Sequence, residues 1–187
     1  MDQDVTVRDD DLLFTVDDGI GRVTFNRPQA RNAFTFEMYE RLAEICERAN
    51  RDHAIKVLLL RGAGDKAFAA GTDINQFRAF KTPQDALDYE NRIDRVLGIL
   101  ETCRVPTIAA INGACTGGGA GIAASCDLRI GTKTTRMGFP IARTARQLPV
   151  DVECQPHYRV DRSGARQGYD LHRTSCRSRG GGLRGPA

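Results

Sequence analysis

The apolar positions of the chain change period several times, and each change predicts an element. Residues 12–17 (LLFTVD) and 20–26 (IGRVTFN) are short apolar runs separated only by Asp18-Gly19, a pattern that predicts a tight β-hairpin. Pro28 follows, and a proline cannot donate to a strand ladder, so the second strand is expected to end before it. Beyond Thr35, the apolar residues Met38, Leu42, Ile45 and Ala49 recur at three- and four-residue intervals with charge between them. That spacing predicts an amphipathic helix through about Arg51, with Thr35 as its N-cap. Residues 55–60 (IKVLLL) are a nearly continuous apolar run, as expected of a strand covered on both faces. A glycine-punctuated loop, 62–71, comes next.

Thr82, Pro83 and Asp85 supply an N-cap, a proline at the first helical position and an acid at the third. The helix they open is expected to run to about Thr102, with Ala86, Ile93, Val96, Leu97 and Leu100 on one face. Residues 107–111 (TIAAI) read as another buried strand leading into a glycine loop, 113–121. A short Ala-rich helix over 122–125 and two short strands, 127–131 and 136–139, complete the pattern. Strands alternating with helices in this way argue for an α/β fold.

Composition narrows the class. The chain has 187 residues, 41% hydrophobic and 27% charged, which excludes a disordered or collagen-like protein. No apolar run approaches the roughly twenty residues that a membrane helix needs. The acidic start, Met1-Asp-Gln-Asp, lacks the basic and apolar regions of a signal peptide, so a cytoplasmic location without a membrane partner is expected. The six cysteines form no C-x-x-C pair, and the three histidines are scattered. Free thiols and no metal site are therefore expected.

The net charge of +3 is unevenly placed. Residues 1–144 carry 19 basic and 20 acidic side chains, whereas residues 145–187 carry eight Arg, no Lys and four acids. This last stretch shows no sustained period and ends in Arg-Gly-Gly-Gly-Leu-Arg-Gly-Pro-Ala, so it is expected to be a poorly packed or disordered tail. Its arginines lack interleaved aromatics beyond Tyr158 and Tyr169, which argues against a nucleic-acid partner.

Candidate chemistry lies in two loops, Phe68-Ala-Ala-Gly-Thr-Asp-Ile74 and Thr116-Gly-Gly-Gly-Ala-Gly121. Each follows a predicted strand and precedes a predicted helix. Glycines there either satisfy turn geometry alone or let the backbone approach a ligand with free N–H groups. Two such groups converging on one oxygen would make an oxyanion hole. Gly119-Ala-Gly-Ile-Ala-Ala124 also matches a dinucleotide fingerprint, but the window 139–143 contains no acid for the ribose. No nucleophile elbow or Walker lysine pattern is present.

A longer series is specific. It comprises Phe25-Asn-Arg-Pro-Gln-Ala-Arg-Asn-Ala33, Lys66-Ala-Phe-Ala-Ala-Gly-Thr-Asp-Ile74, Val105-Pro-Thr-Ile-Ala-Ala-Ile-Asn-Gly113, Gly117-Gly-Gly119 and Cys126-Asp-Leu-Arg-Ile130. In order, spacing and residue type it resembles the crotonase superfamily, the enoyl-CoA hydratase/isomerase family, across roughly residues 10–143. The resemblance implies a crotonase-like ββα spiral, incomplete at its C-terminus, with acyl-CoA thioesters as ligands. It further implies lyase or isomerase chemistry in fatty acid metabolism, no cofactor beyond the coenzyme A of the substrate, and a homotrimer or hexamer. By the same resemblance, the backbone N–H groups of Ala70 and Gly118 would form the oxyanion hole. Ala30, Ala33, Ala70, Thr72, Asp73, Ile74, Gly117, Gly118 and Gly121 would line the substrate and CoA groove. Asp73 reads equally well as the N-cap of a helix after Ile74.

Two departures from the family pattern stand out. Hydration needs an acid/base pair, and the two glutamates that family hydratases use correspond here to Gly121 and Ile141. Asp127, Asp73 and Glu101 are the candidate acids elsewhere, and none has a positional warrant as general base. A non-catalytic acyl-CoA-binding remnant is the alternative reading. The second departure begins at Ala145. Read one base later, codons for 145–176 permit strings that resemble family members, among them LGNCLSM directly after Thr144. The expectation is therefore a core over 1–144 followed by a tail that has left the native reading frame. Loss of the last spiral turns is expected to leave the apolar faces of the 82–102 and 122–125 helices under-covered.

Overall fold

The computed structural model describes residues 10–139. Ile141 and the tail over 145–187, with their expectations, lie outside the described residues.

The hairpin forms as its sequence predicts. Strand β1 (Leu12–Asp17) pairs antiparallel with β2 (Ile20–Phe25), and both turn residues take positive φ, Asp18 at 47° and Gly19 at 76°. These are the dihedrals of a type I′ turn, whose twist matches that of the strands. Helix α1 (Phe36–Arg51) starts where Thr35 accepts a hydrogen bond from the Met38 N–H at 3.3 Å. It buries Met38, Leu42, Ile45, Cys46 and Ala49, each at most 2% exposed.

From β3 onward the chain repeats one unit: a strand in a first sheet, a strand in a second sheet, then a helix. The first turn is β3 (Val57–Gly62), β4 (Ala67–Ala69) and α2 (Pro83–Glu101). The second is β5 (Thr107–Ile111), β6 (Ala114–Thr116) and α3 (Gly118–Ser125), followed by β7 (Leu128–Gly131) and β8 (Arg136–Gly138). The larger sheet has the order β1-β2-β3-β5-β7, parallel apart from the hairpin, and the smaller is the parallel set β4-β6-β8. This is a ββα spiral, as expected.

Several details depart from the sequence reading. Strands β4 and β6 fall inside the predicted glycine loops, because three residues are too few to show an alternation and their partners are distant in sequence. Helix α3 begins four residues earlier than the Ala-rich run suggests. It lies so close to β4 that a Cβ on Gly119 would overlap the Ala69 backbone, so glycine is needed where helix propensity argues against it. Strand β3 starts at Val57 and is fully covered on one face only: Leu58 and Leu60 are buried, whereas Val57 and Leu59 are half-buried. Of the helix faces expected to be under-covered, α3 and the C-terminal end of α2 are closed, with Val96, Leu100, Ile122 and Ala123 at 0–1% exposure, whereas earlier on α2 Ala86 is exposed and Ile93 half-buried. Open apolar side chains include Leu87 on α2 and, on β7 and β8, Leu128, Ile130 and Met137.

Phe25, Phe34 and Phe68 meet edge to face in the core, with ring centroids 4.6 and 5.1 Å apart. They stand directly beneath the loops that form the site. No helix among the described residues is long and apolar enough to cross a membrane.

Candidate active site

The two glycine loops meet at the C-terminal ends of β4 and β6. An atom placed as Cβ on Gly71 would stand 3.8 Å from the Gly118 nitrogen, and one on Gly118 would stand 3.2 Å from Thr72 Oγ1. Gly71 has φ of 101°, a region closed to other residues, which lets the chain reverse here.

Peptide geometry decides which N–H groups face the gap. Phe34 N–H donates to the Gly71 carbonyl at 2.8 Å, and Asp73 N–H donates to the Phe34 carbonyl at 2.8 Å. In a trans peptide the C=O and N–H point in opposite directions. Because the Gly71 carbonyl faces Phe34, the Thr72 N–H points away from it. Likewise, the Gly117 carbonyl accepts from Gly121 N–H at 3.0 Å inside α3, so the Gly118 N–H points out of the helix N-terminus. Two adjacent N–H groups, one of them at the positive end of a helix dipole, can hold an oxygen that gains negative charge.

This geometry corrects one sequence expectation. Ala70 N–H donates to the Arg31 carbonyl at 3.0 Å, so it is already engaged in holding the 27–33 turn. Thr72, two residues on, is the donor that peptide alternation turns toward Gly118. Ala30 and Ala33 frame the neighbouring turn, and the Ala33 carbonyl accepts from Arg27 Nη1 at 2.6 Å. Ile74 is 76% exposed at the start of the 3-10 helix Ile74–Ala79. Gly117 caps α3, and Gly121 sits one turn along, where a Cβ would meet Leu97 Cδ1 at 3.5 Å.

None of the three acids considered as a base is positioned to serve. Asp73 accepts from Asn75 N–H at 3.0 Å, the N-cap role, and from Arg27 Nη2 at 2.9 Å. The Asn75 N–H first, and then the Arg27 guanidinium, hold its carboxyl below the usual carboxylate range. Asp127 Oδ2 accepts from Thr107 N and Oγ1 at 2.9 and 3.0 Å, and Glu101 Oε1 accepts from Ser125 Oγ at 3.1 Å. Both contacts lie at the C-terminal end of α3. Eight helical residues at about 1.5 Å each put them roughly 10 Å from Gly118.

Four residues around the site carried no assigned role in the sequence reading. Asn32 is fully buried: its Oδ1 accepts from Arg27 N at 3.0 Å, and its Nδ2 donates to the Ala63 and Ala67 carbonyls at 3.0 and 2.7 Å. Arg27 links that turn to Asp73. Both residues stood in a quoted motif, so a signal existed. Tyr39 and Tyr89 gave none. Thr72 Oγ1 lies 2.9 Å from Tyr39 Oη and 2.7 Å from Tyr89 Oη. Burial pushes the Tyr39 phenol well above its ordinary value, so it stays protonated.

Tyr89 also belongs to an aromatic cluster with Phe36, Phe77 and Phe80, ring centroids 4.9 to 6.3 Å from its own. A cavity of about 190 Å³ opens beside it, bounded by Phe36, Phe80, Asp85, Asp88 and Arg92. A larger cavity of about 320 Å³ lies among Arg31, Lys66 and Arg136, at the start of β4, β6 and β8 and away from the paired N–H groups. Among the described residues, Cys46, Cys103, Cys115 and Cys126 are buried free thiols, and no three His, Cys, Asp or Glu side chains cluster as metal ligands.

Known proteins resemble this arrangement. A family model described as enoyl-CoA hydratase/isomerase matches residues 20–143. YngF of Bacillus subtilis, which carries an enoyl-CoA hydratase/isomerase name, is 39% identical over 132 residues, 70% of this chain and 50% of that protein. The mitochondrial 3-hydroxyisobutyryl-CoA hydrolase of Gallus gallus is 31% identical over 175 residues, 91% of this chain and 44% of that protein. A crystal structure of an enoyl-CoA hydratase/carnithine racemase from Magnetospirillum magneticum superposes with a TM-score of 0.69 at 38% identity, covering 73% of this chain and 51% of the other. The chain spans about half the length of the curated relatives it matches.

Proposed function

Because the chain belongs to the enoyl-CoA hydratase/isomerase family, we propose that it binds an acyl-CoA thioester with the carbonyl oxygen between the N–H groups of Thr72 and Gly118. The observation that carries this reading is the pair of trans peptides, 71–72 and 117–118, whose hydrogen bonds turn both N–H groups toward one gap. Charge developing on the oxygen as an enolate forms would be stabilised there without reorganisation. Coenzyme A enters as part of the substrate, so no separate cofactor is needed. A homotrimer or hexamer, as the family resemblance implies, and a cytoplasmic location complete the proposal.

A second reading has its own support. Gly121 carries no side chain, and Asp73, Asp127 and Glu101 are engaged in structural contacts or remote from the gap. Nothing among the described residues supplies the proton traffic of hydration, which favours acyl-CoA binding without hydratase turnover. One experiment tests both readings. The purified chain should bind crotonyl-CoA by calorimetry and hydrate it at a negligible rate. Failure to bind sinks the acyl-CoA site, and ordinary hydratase turnover sinks the non-catalytic reading.

A further inference from the structure

Three hydroxyls run in line beside the paired N–H groups. Tyr39 is fully buried, and Thr72 Oγ1, 2.9 Å away, is the polar partner of its oxygen. Thr72 Oγ1 in turn lies 2.7 Å from Tyr89 Oη. Each oxygen can donate one hydrogen, so the order of donation follows from where an unplaced hydrogen would cost most. If Tyr89 donated to Thr72 and Thr72 to Tyr39, the Tyr39 hydrogen would be left in the dry core with no acceptor at full hydrogen-bond distance, since the Tyr89 phenol is near but farther than Thr72. The favourable order is therefore Tyr39 to Thr72 and Thr72 to Tyr89. That order leaves the Tyr89 hydrogen free to turn toward the cavity of about 190 Å³ that Tyr89 helps to line, beside the open first half of α2.

We propose that Tyr89 is a third hydrogen-bond donor to the acyl thioester bound against Thr72 and Gly118, its hydrogen aimed by the buried Tyr39–Thr72–Tyr89 chain. The proposal rests on the acyl-CoA reading of this site. Two further features support it. The Tyr89 ring is gripped by Phe36 and Phe77, with centroids 5.5 and 4.9 Å away, so the hydroxyl is held in place. With glycine at 121, no carboxyl group stands on that turn of α3 to supply a hydrogen instead. The charged groups that share the cavity with Tyr89 have partners of their own. Asp85 is engaged in the α2 cap, Asp88 accepts from Gln84 at 2.8 Å, and Arg92 pairs with Glu40 at 3.5 Å.

The test uses the full chain and crotonyl-CoA carrying ¹³C at the thioester carbonyl, read by calorimetry and by the resonance of the bound carbonyl. In wild type the bound resonance should move downfield, as a polarised carbonyl does. Tyr89→Phe keeps the ring and removes the hydroxyl. It should weaken binding about 3- to 10-fold, the loss of one neutral hydrogen bond, and return the resonance toward its free position. Tyr39→Phe should shift the resonance the same way by less, because Thr72 Oγ1 no longer accepts from residue 39 and Tyr89 can then donate to Thr72 part of the time. The double variant should match Tyr89→Phe alone. Bound resonance reports only folded, liganded protein, so partial unfolding of a variant does not imitate the effect. A Tyr89→Phe protein with wild-type affinity and resonance overturns the proposal while leaving the acyl-CoA site intact. No binding by wild type overturns both.

Discussion

The two walls of the site are built by different physics. On one side, directional polar bonds hold the 27–33 turn: Asn32 to backbone groups of Arg27, Ala63 and Ala67, and Arg27 to Ala33 and to Asp73 of the 71–73 segment. Asn32 is fully buried, and the Arg27 and Asp73 side chains are 16% and 13% exposed. On the other side, the 3-10 helix Ile74–Ala79 buries no residue, and α2 buries only Val96, Leu97 and Leu100, all in its second half. What holds this second wall is the Phe36, Phe77, Phe80 and Tyr89 cluster. Hydrogen bonds to a buried amide have one good geometry, so the first wall is rigid where backbone donors must be aimed. Aromatic contacts are weakly directional and half exposed, so the Phe77 and Phe80 side of the second wall can yield to an acyl group at low cost, while the hydrogen bond to Thr72 keeps the Tyr89 hydroxyl in place.

The comparison can be broken in four places. Asn32→Ala should do the most damage, because it strands the Ala63 and Ala67 carbonyls; a loss of about 2–4 kcal/mol is expected in denaturant unfolding. A loss under 1 kcal/mol would mean that the first wall is not held as described. Gly118→Ala lies on the seam between the walls, where a Cβ would overlap Tyr39 Oη and crowd Thr72 Oγ1. Overpacking there should cost about 1–3 kcal/mol in thermal melts, and crotonyl-CoA binding should disappear with it. Thr82→Ala removes the half of the α2 capping box in which Thr82 Oγ1 accepts from Asp85 N–H at 3.4 Å. It should cost about 1 kcal/mol, with amide exchange accelerating in the first turns of α2 and unchanged around Asn32.

The smallest effect is acid-dependent. The carboxyl of Asp73 is held below its ordinary range by Asn75 N–H and then Arg27, so its contribution is complete at neutral pH and is lost as pH falls through the lowered folded value. The stability difference between wild type and Asp73→Asn should therefore shrink below about pH 4. A difference that stays constant down to pH 2 would remove Asp73 from the first wall's ionic contacts.

Features made by neighbours in sequence were legible in advance. The Asp18-Gly19 turn, the Thr35 cap and the Thr82-Pro83-Asp85 start each depend on residues within four positions of one another, and each formed where expected. The α1 stripe and the strand at 107–111 were equally plain, because a buried face repeats every 3.6 or 2 residues. The motif series pointed to the right loops. It did not tell which N–H group faces Gly118, because a sequence does not state which way a peptide plane faces. Only the pairing of Phe34 with Gly71 and Asp73 turned Thr72, rather than Ala70, toward Gly118.

The sequence by itself therefore determined the local elements, the family pattern and the absence of a carboxylate at Gly121. Tertiary structure decided the rest: that two three-residue strands exist at all, that α3 starts among glycines, and that Tyr39 and Tyr89, fifty residues apart, share Thr72. The reason is common to all three. Each depends on contacts between segments distant along the chain, whose closeness is set by packing and leaves no period, cap or turn signature in either segment alone.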